Sequence, residues 1–279
     1  MPRLAANLSF LFKEHTFLDR FAAAAASGFR AVEFMFPGDG GYIAAAEAVA
    51  EQLKAHQLEQ VLLNAPGGDW ANGERGLGGI GSREADWQAS IETGLRYCRH
   101  LGCPRMHVMA GMVSQGATEE VFVRRLQWAA ELAAEQGKPP VTLLVEPLNP
   151  NDFPGYLVPD AETALRIIDH ANASVPPGTA APVQLQLDVY HLAQTEAARD
   201  ATIEDTIRRL LPRAAHVQFA NPPGRNEPGV GTVDFEHVCA VLDEAGYAGH
   251  VGLEYKPSTS ATVQSLVGWG SKHGLRGCR

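Results

Sequence analysis

Cysteine is scarce in this chain: four residues in 279, at positions 98, 103, 239 and 278, with no Cys-x-x-Cys pair among them. That excludes a zinc ribbon and a disulfide framework, and in a chain this long the thiols read as reduced. The sequons at Asn7 and Asn172 then carry little weight. No stretch approaches the roughly 20 apolar residues that a membrane-spanning helix needs. The opening residues Met1 to Asn7 lack a charged region followed by an apolar core, so a cytoplasmic protein is expected. Basic charge is also short, with 23 Lys and Arg against 32 Asp and Glu and a net charge of −9. Without a Lys/Arg cluster to line a phosphate backbone, neither nucleic acid nor an anionic membrane is an expected partner. Missing too are a Walker A sequence, an HExxH helix and a G-x-S-x-G elbow. The run Gly76-Leu77-Gly78-Gly79-Ile80-Gly81 formally matches G-x-G-x-x-G. A dinucleotide site needs those glycines directly after a strand, and the strand here ends near Leu63, about a dozen residues earlier.

What is present is ordinary globular material, 45% hydrophobic and 20% charged, enough for one large core. Short apolar runs alternate with longer amphipathic ones. Strands are expected at Arg3–Leu8, Ala31–Phe34, Gln60–Leu63, Arg105–Met109, Val141–Val145, Val183–Leu187, Ala215–Val217 and His250–Leu253. Helices are expected at Phe17–Ala26, Ala44–His56, Glu84–His100, Glu119–Gln136, Ala161–Ala171, Thr202–Leu211 and Phe235–Ala245, with Thr118 and Asp160 as N-caps. Strands such as Val-Thr-Leu-Leu-Val are too apolar for a half-exposed antiparallel sheet. Eight parallel β/α units predict a single (β/α)₈ TIM barrel of the α/β class over residues 1–269, with a frayed tail at 270–279; a six- or seven-strand open sheet is the alternative. The Gly-rich stretch Asn64–Arg83 reads as a loop over a site. A homo-oligomer is compatible with the sequence, which points to no particular face for it.

Polar residues end the apolar runs of the last four strands: Glu146, Asp188, Gln218 and Glu254. Their separations, 188 − 146 = 42, 218 − 188 = 30 and 254 − 218 = 36, are each about one β/α unit of a ~250-residue barrel. Singly, each such residue is as well explained by capping the next helix or filling a hydrogen bond. Jointly they would leave uncompensated negative charge at one barrel mouth, which folding tolerates poorly without a cation. Oxygen ligands without Cys or His select Mg²⁺ or Mn²⁺ over Zn²⁺. Beside them stand His191, one helical turn beyond Asp188, His107 in the fourth strand, Arg225, Lys256 and Glu33. For Arg225 and Lys256 a solvated loop charge competes with a substrate contact, and for His107 a buried core histidine does.

Several segments resemble the hydroxypyruvate isomerase family, which has a xylose-isomerase-like barrel. They include Ala5-Ala6-Asn7-Leu8-Ser9, Gly73-Glu74-Arg75-Gly76-Leu77, Val145-Glu146-Pro147-Leu148-Asn149, Leu187-Asp188-Val189-Tyr190-His191, His216-Val217-Gln218, Pro223-Gly224-Arg225 and Gly252-Leu253-Glu254-Tyr255-Lys256. The resemblance runs in order to about Trp269. It implies a divalent metal held by Glu146, Asp188, Gln218 and Glu254, with Glu146 and Glu254 as the proton donor/acceptor pair. It also implies a small 2-oxo-3-hydroxy acid as substrate and supports His191 as a substrate contact; the substrate carboxylate needs a cationic or amide partner, for which Arg225, Lys256 and His107 are the candidates. The expected reaction interconverts hydroxypyruvate and 2-hydroxy-3-oxopropanoate through an enediolate, whose charge a Lewis acid would stabilise. A 2-oxo-tetronate isomerase shares these motifs. A metabolite-binding barrel without catalysis and a metal-dependent endonuclease are the readings from other classes; the latter would need several His ligands and a basic surface. The chain departs from the family at Pro66-Gly67-Gly68-Asp69, at Asn226 and past Trp269, none of which touches the four expected ligands.

Overall fold

A computed structural model describes residues 2–36, 45–137, 139–175, 182–195 and 202–277. Eight strands alternate with helices and close in chain order into a parallel barrel. They are β1 (Arg3–Asn7), β2 (Ala31–Phe34), β3 (Glu59–Asn64), β4 (Arg105–His107), β5 (Thr142–Val145), β6 (Val183–Asp188), β7 (Ala214–Phe219) and β8 (His250–Leu253). Every expected strand is present, most of them within one residue at each end. The helices are α1 (Asp19–Ala26), α2 (Ala46–His56), α3 (Glu84–Leu101), α4 (Glu119–Gln136), α5 (Ala161–Ala171), α6 (Val189–Thr195), α7 (Ile203–Leu210), α8 (Phe235–Glu244), α9 (Thr262–Ser265) and α10 (Trp269–Lys272). Thr118 and Asp160 cap α4 and α5 as expected, their side chains accepting from Val121 and Thr163 N–H. None of the described helices is long and apolar enough to cross a membrane.

The chain divides into two compact units. The first comprises Met1–Phe34, Ala44–Val61 and Leu187–Arg279. There β1 lies between β2 and β8, and β7 pairs with β8, with Asn7 level with Glu33 and Gln218 level with Gly252. Aromatic side chains fasten helices to strands: Phe17, Phe21 and Phe34 pack edge to face, and Phe219 meets both Phe235 and Trp269. The stretch expected to fray is docked as far as Gly277: Leu275 is buried and Arg276 N–H donates to the Ser27 carbonyl at 2.8 Å. Leu275, the Arg276 N–H and the His273 ring stacked on Trp269 help anchor it, and none leaves a periodic trace in sequence.

The second unit comprises Met35–Ile43 and Leu62–Gln186. It holds β4 between β3 and β5, with β5 paired to β6. Its Gly-rich loop is tightly held. Arg125, buried on α4, donates to the carbonyls of Leu77 (2.8 Å) and Ile80 (2.9 Å) and lies over the Trp87 ring. A Cβ on Gly76 would overlap Met109, and one on Gly78 the Phe122 ring. Gly76 and Gly78 of the G-x-G-x-x-G look-alike are therefore there for close backbone approach, not for phosphate.

Candidate active site

Side chains of a strand alternate between its two faces, and in a closed barrel one face is the interior. In the first unit β2 and β7 are not neighbours, since β1 and β8 lie between them. Glu33 of β2 nevertheless meets two residues of β7: Gln218 Nε2 donates to Glu33 Oε1 at 2.6 Å, and His216 Nε2 lies 2.6 Å from Oε2. Those contacts cross the interior. Asn7 Nδ2 donates to Glu33 Oε1 and to Glu254 Oε1, both at 3.0 Å. All five side chains are buried, Glu33 and His216 completely. Burying a carboxylate costs several kcal/mol unless donors replace its water, and here Asn7, His216 and Gln218 replace it.

Glu254, which follows β8, links this network to Asp188 at the end of β6. Asp188 Oδ1 accepts from Tyr190 N–H at 2.9 Å, which starts α6 directly from the strand. That turn brings His191 Nε2 to 3.7 Å from Asp188 Oδ2. Arg225, only 9% exposed, pairs its Nη2 with Glu254 Oε2 and stands 3.6 Å from Asp188 Oδ2. Its guanidinium lies between the rings of Phe10 (4.8 Å) and Tyr190 (4.9 Å), a geometry that suits a planar cation and not an ammonium. Its φ of 55° bends the Pro-Gly-Arg turn toward the acids. Burial pushes the Glu254 carboxyl up to about 8; Asp188 and Glu33 push the same way and Arg225 opposes them. Lys256, expected as a substrate contact, has an exposed side chain and meets the site loop through its backbone: its N–H donates to the Arg225 carbonyl and its carbonyl accepts from Asn226 Nδ2.

In the second unit His107 ends β4 and Glu146 follows β5. His107 Nδ1 is 3.4 Å from Glu146 Oε2. Burial lowers the His107 imidazole to about 3, so at neutral pH it offers a hydrogen bond without a charge. Tyr156, also buried, accepts from Ala110 N–H at 2.8 Å, and burial, with Glu146 adding, raises its phenol.

Glu146 is a buried carboxylate of the second unit, and Asp188 and His191 are a buried pair of the first. Two of these are among the expected ligands, and the third was expected to touch substrate. Gln218 and Glu254, the other two expected ligands, belong to the interior network of the first unit. A set dominated by carboxylate and amide oxygens suits a hard divalent cation. In the first unit the carboxylates of Asp188 and Glu254 share the guanidinium of Arg225, so the charge balance also fits one.

Residues 21–270 match the family described as the xylose isomerase-like TIM barrel. The chain belongs to that family. Among relatives of this xylose isomerase-like chain, the 2-oxo-tetronate isomerase of Cupriavidus necator is 41% identical over 273 residues, covering 96% of this chain and 97% of the relative. The hydroxypyruvate isomerase of Escherichia coli is 35% identical, covering 96% and 98%. Of solved structures, one titled AP endonuclease, family 2, from Brucella melitensis superposes with a TM-score of 0.86 at 37% identity, covering 98% of this chain and all of that one. Asn7, His216 and Tyr156 were not singled out from sequence. For Asn7 and His216 the local signal is parity: Asn7 shares a face of β1 with Ala5, and His216 a face of β7 with Gln218; Tyr156 lies outside the strands.

Proposed function

We propose that this xylose isomerase-like protein shifts a carbonyl between C2 and C3 of a small 2-oxo-3-hydroxy acid, interconverting hydroxypyruvate and 2-hydroxy-3-oxopropanoate. The curated relatives it matches over nearly its full length are isomerases. The observation that carries the reading is the buried acid pair Asp188–Glu254 joined by Arg225 at the strand ends. A carboxyl pushed up to about 8 is poised to gain and lose a proton near neutral pH. In this reading Glu254 and Glu146 take a proton from one carbon and return one to the next. A divalent ion, Mg²⁺ or Mn²⁺, held by Glu146, Asp188, Gln218 and Glu254, would act as Lewis acid toward the charge developing on the substrate oxygens. Arg225 is the favoured partner of the substrate carboxylate, because its aromatic sandwich holds the guanidinium in one orientation. His107 holds Glu146 and supplies an uncharged hydrogen bond. His191 contacts the substrate hydroxyl.

A four-carbon 2-oxo-tetronate is the second reading, favoured by the 41% identity to the Cupriavidus necator enzyme. Both readings require the same proton chemistry. Protein incubated with hydroxypyruvate and Mg²⁺ in heavy water should place deuterium on the substrate carbon that exchanges its proton, seen by NMR. Binding without exchange, on either the three- or the four-carbon acid, would leave a metabolite-binding barrel in place of an isomerase. Relative rates on the two acids decide the chain length.

A further inference from the structure

Glu33 lies at the centre of the first unit's polar interior, yet the proposed reaction uses it for nothing. Its carboxylate is wholly buried and accepts from three side chains on two other strands. The barrel is shaped to hold it there: a Cβ on Gly252, across the interior on β8, would overlap the Glu33 carboxylate. A carboxylate only accepts hydrogen bonds. The Gln218 amide, 2.6 Å away, must therefore turn its nitrogen to Glu33, which sends its oxygen in the opposite sense. By the same rule Nε2 is the hydrogen-bearing nitrogen of His216, and its Nδ1 is buried with no hydrogen-bond partner. Asn7 uses its one amide nitrogen to tie Glu33 to Glu254.

We infer that Glu33 is a positioning residue: it locks the Gln218 amide with the oxygen outward as a cation ligand and, through Asn7, holds Glu254 in register. This rests on Gln218 and Glu254 being cation ligands, as proposed above. The negative charge behind the amide also polarises it, making its oxygen a better donor to a cation. Glu33 itself touches neither cation nor substrate.

Mn²⁺ binding followed by EPR, on purified full-length protein in the absence of substrate, tests this. Glu33→Gln keeps the shape but leaves one of three donors without an acceptor and lets the Gln218 amide take either orientation. Its Mn²⁺ affinity should fall about 10- to 100-fold, the usual effect of losing such a supporting partner. The double variant Glu33→Gln/Gln218→Glu reverses the polarity of the pair. Position 33 now donates and position 218 carries only acceptor oxygens, so affinity should return toward that of the wild type. Glu33→Asp, which retains the charge but draws back from Gln218, should weaken Mn²⁺ as well, and it is the substitute should Glu33→Gln not fold. A merely structural Glu33 would lower the melting temperature while leaving Mn²⁺ affinity unchanged in the folded variant. That result, or a double variant no tighter than Glu33→Gln, overturns the inference while the proposed function stands. Wild-type protein that takes up no Mn²⁺ overturns both.

Discussion

Glu254 carries an acid that burial and two neighbouring carboxylates hold protonated far above its usual range, with Arg225 pulling the other way. Both properties a proton-transfer group needs, a tuned acidity and a fixed position, come from neighbours distant in sequence. Glu254→Gln and Glu146→Gln should fold yet lose isomerase turnover by a factor on the order of 10³ or more, since each removes acid/base catalysis and a metal ligand together. Near-wild-type turnover in steady-state assays would remove that residue from the role. Arg225→Met deletes a charged hydrogen bond to Glu254, so kcat/KM should fall about 10- to 100-fold, in line with ~1.5–3 kcal/mol for such a bond. It also deletes a cation that lowers the Glu254 carboxyl. The limb of the pH–rate profile governed by that acid should move to higher pH, and a shift to lower pH would contradict the assignment. Lys256 shows the opposite case. Two residues beyond Glu254 it shares the strand parity of an inward residue, but β8 ends at Leu253 and the chain has left the pleat.

Among the elements, helices with local signals were legible and those without were not. Asp160 at the start of α5 precedes a strongly amphipathic run, and its Oδ1 accepts from Thr163 N–H at 2.8 Å. Asp160→Ala should cost about 1 kcal/mol of stability in urea unfolding, with kcat/KM close to wild type, because the side chain serves the Thr163 N–H of the helix. The helix α6 was missed as a helix, although His191 on it and Asp188 just before it were not. It begins directly at the end of β6 without Gly, Pro or a loop, so the apolar run continues unbroken from strand to helix. The Gly-rich loop was legible as a loop but not as a packed one. Arg125, 44 residues beyond Gly81, is what orders it.

For the whole molecule, closing eight strands concentrates buried acids in the interior, and stability should register that charge. The folded-state value of Glu254, about 8, lies above the ordinary 4.5, so the stability it contributes while protonated is full at low pH and is lost as pH rises from about 4.5 to about 8. In EDTA the melting temperature should decline across that window. A divalent cation needs the ionised carboxylate, so Mg²⁺ should raise the melting temperature more at pH 8 than at pH 6. Equal shifts at the two pH values in thermal melts would sink this coupling. The eight strands, seven of the helices and the polar residue at the end of each late strand follow from alternation and 3.6-residue periodicity, which are properties of neighbouring residues and so survive in one dimension. The web joining Asn7, Glu33, His216, Gln218 and Glu254 spans up to 247 residues of chain. No local pattern encodes such a pairing; it exists only once closure of the barrel brings strands that are not neighbours face to face across the interior, where each buried polar group must find its partner.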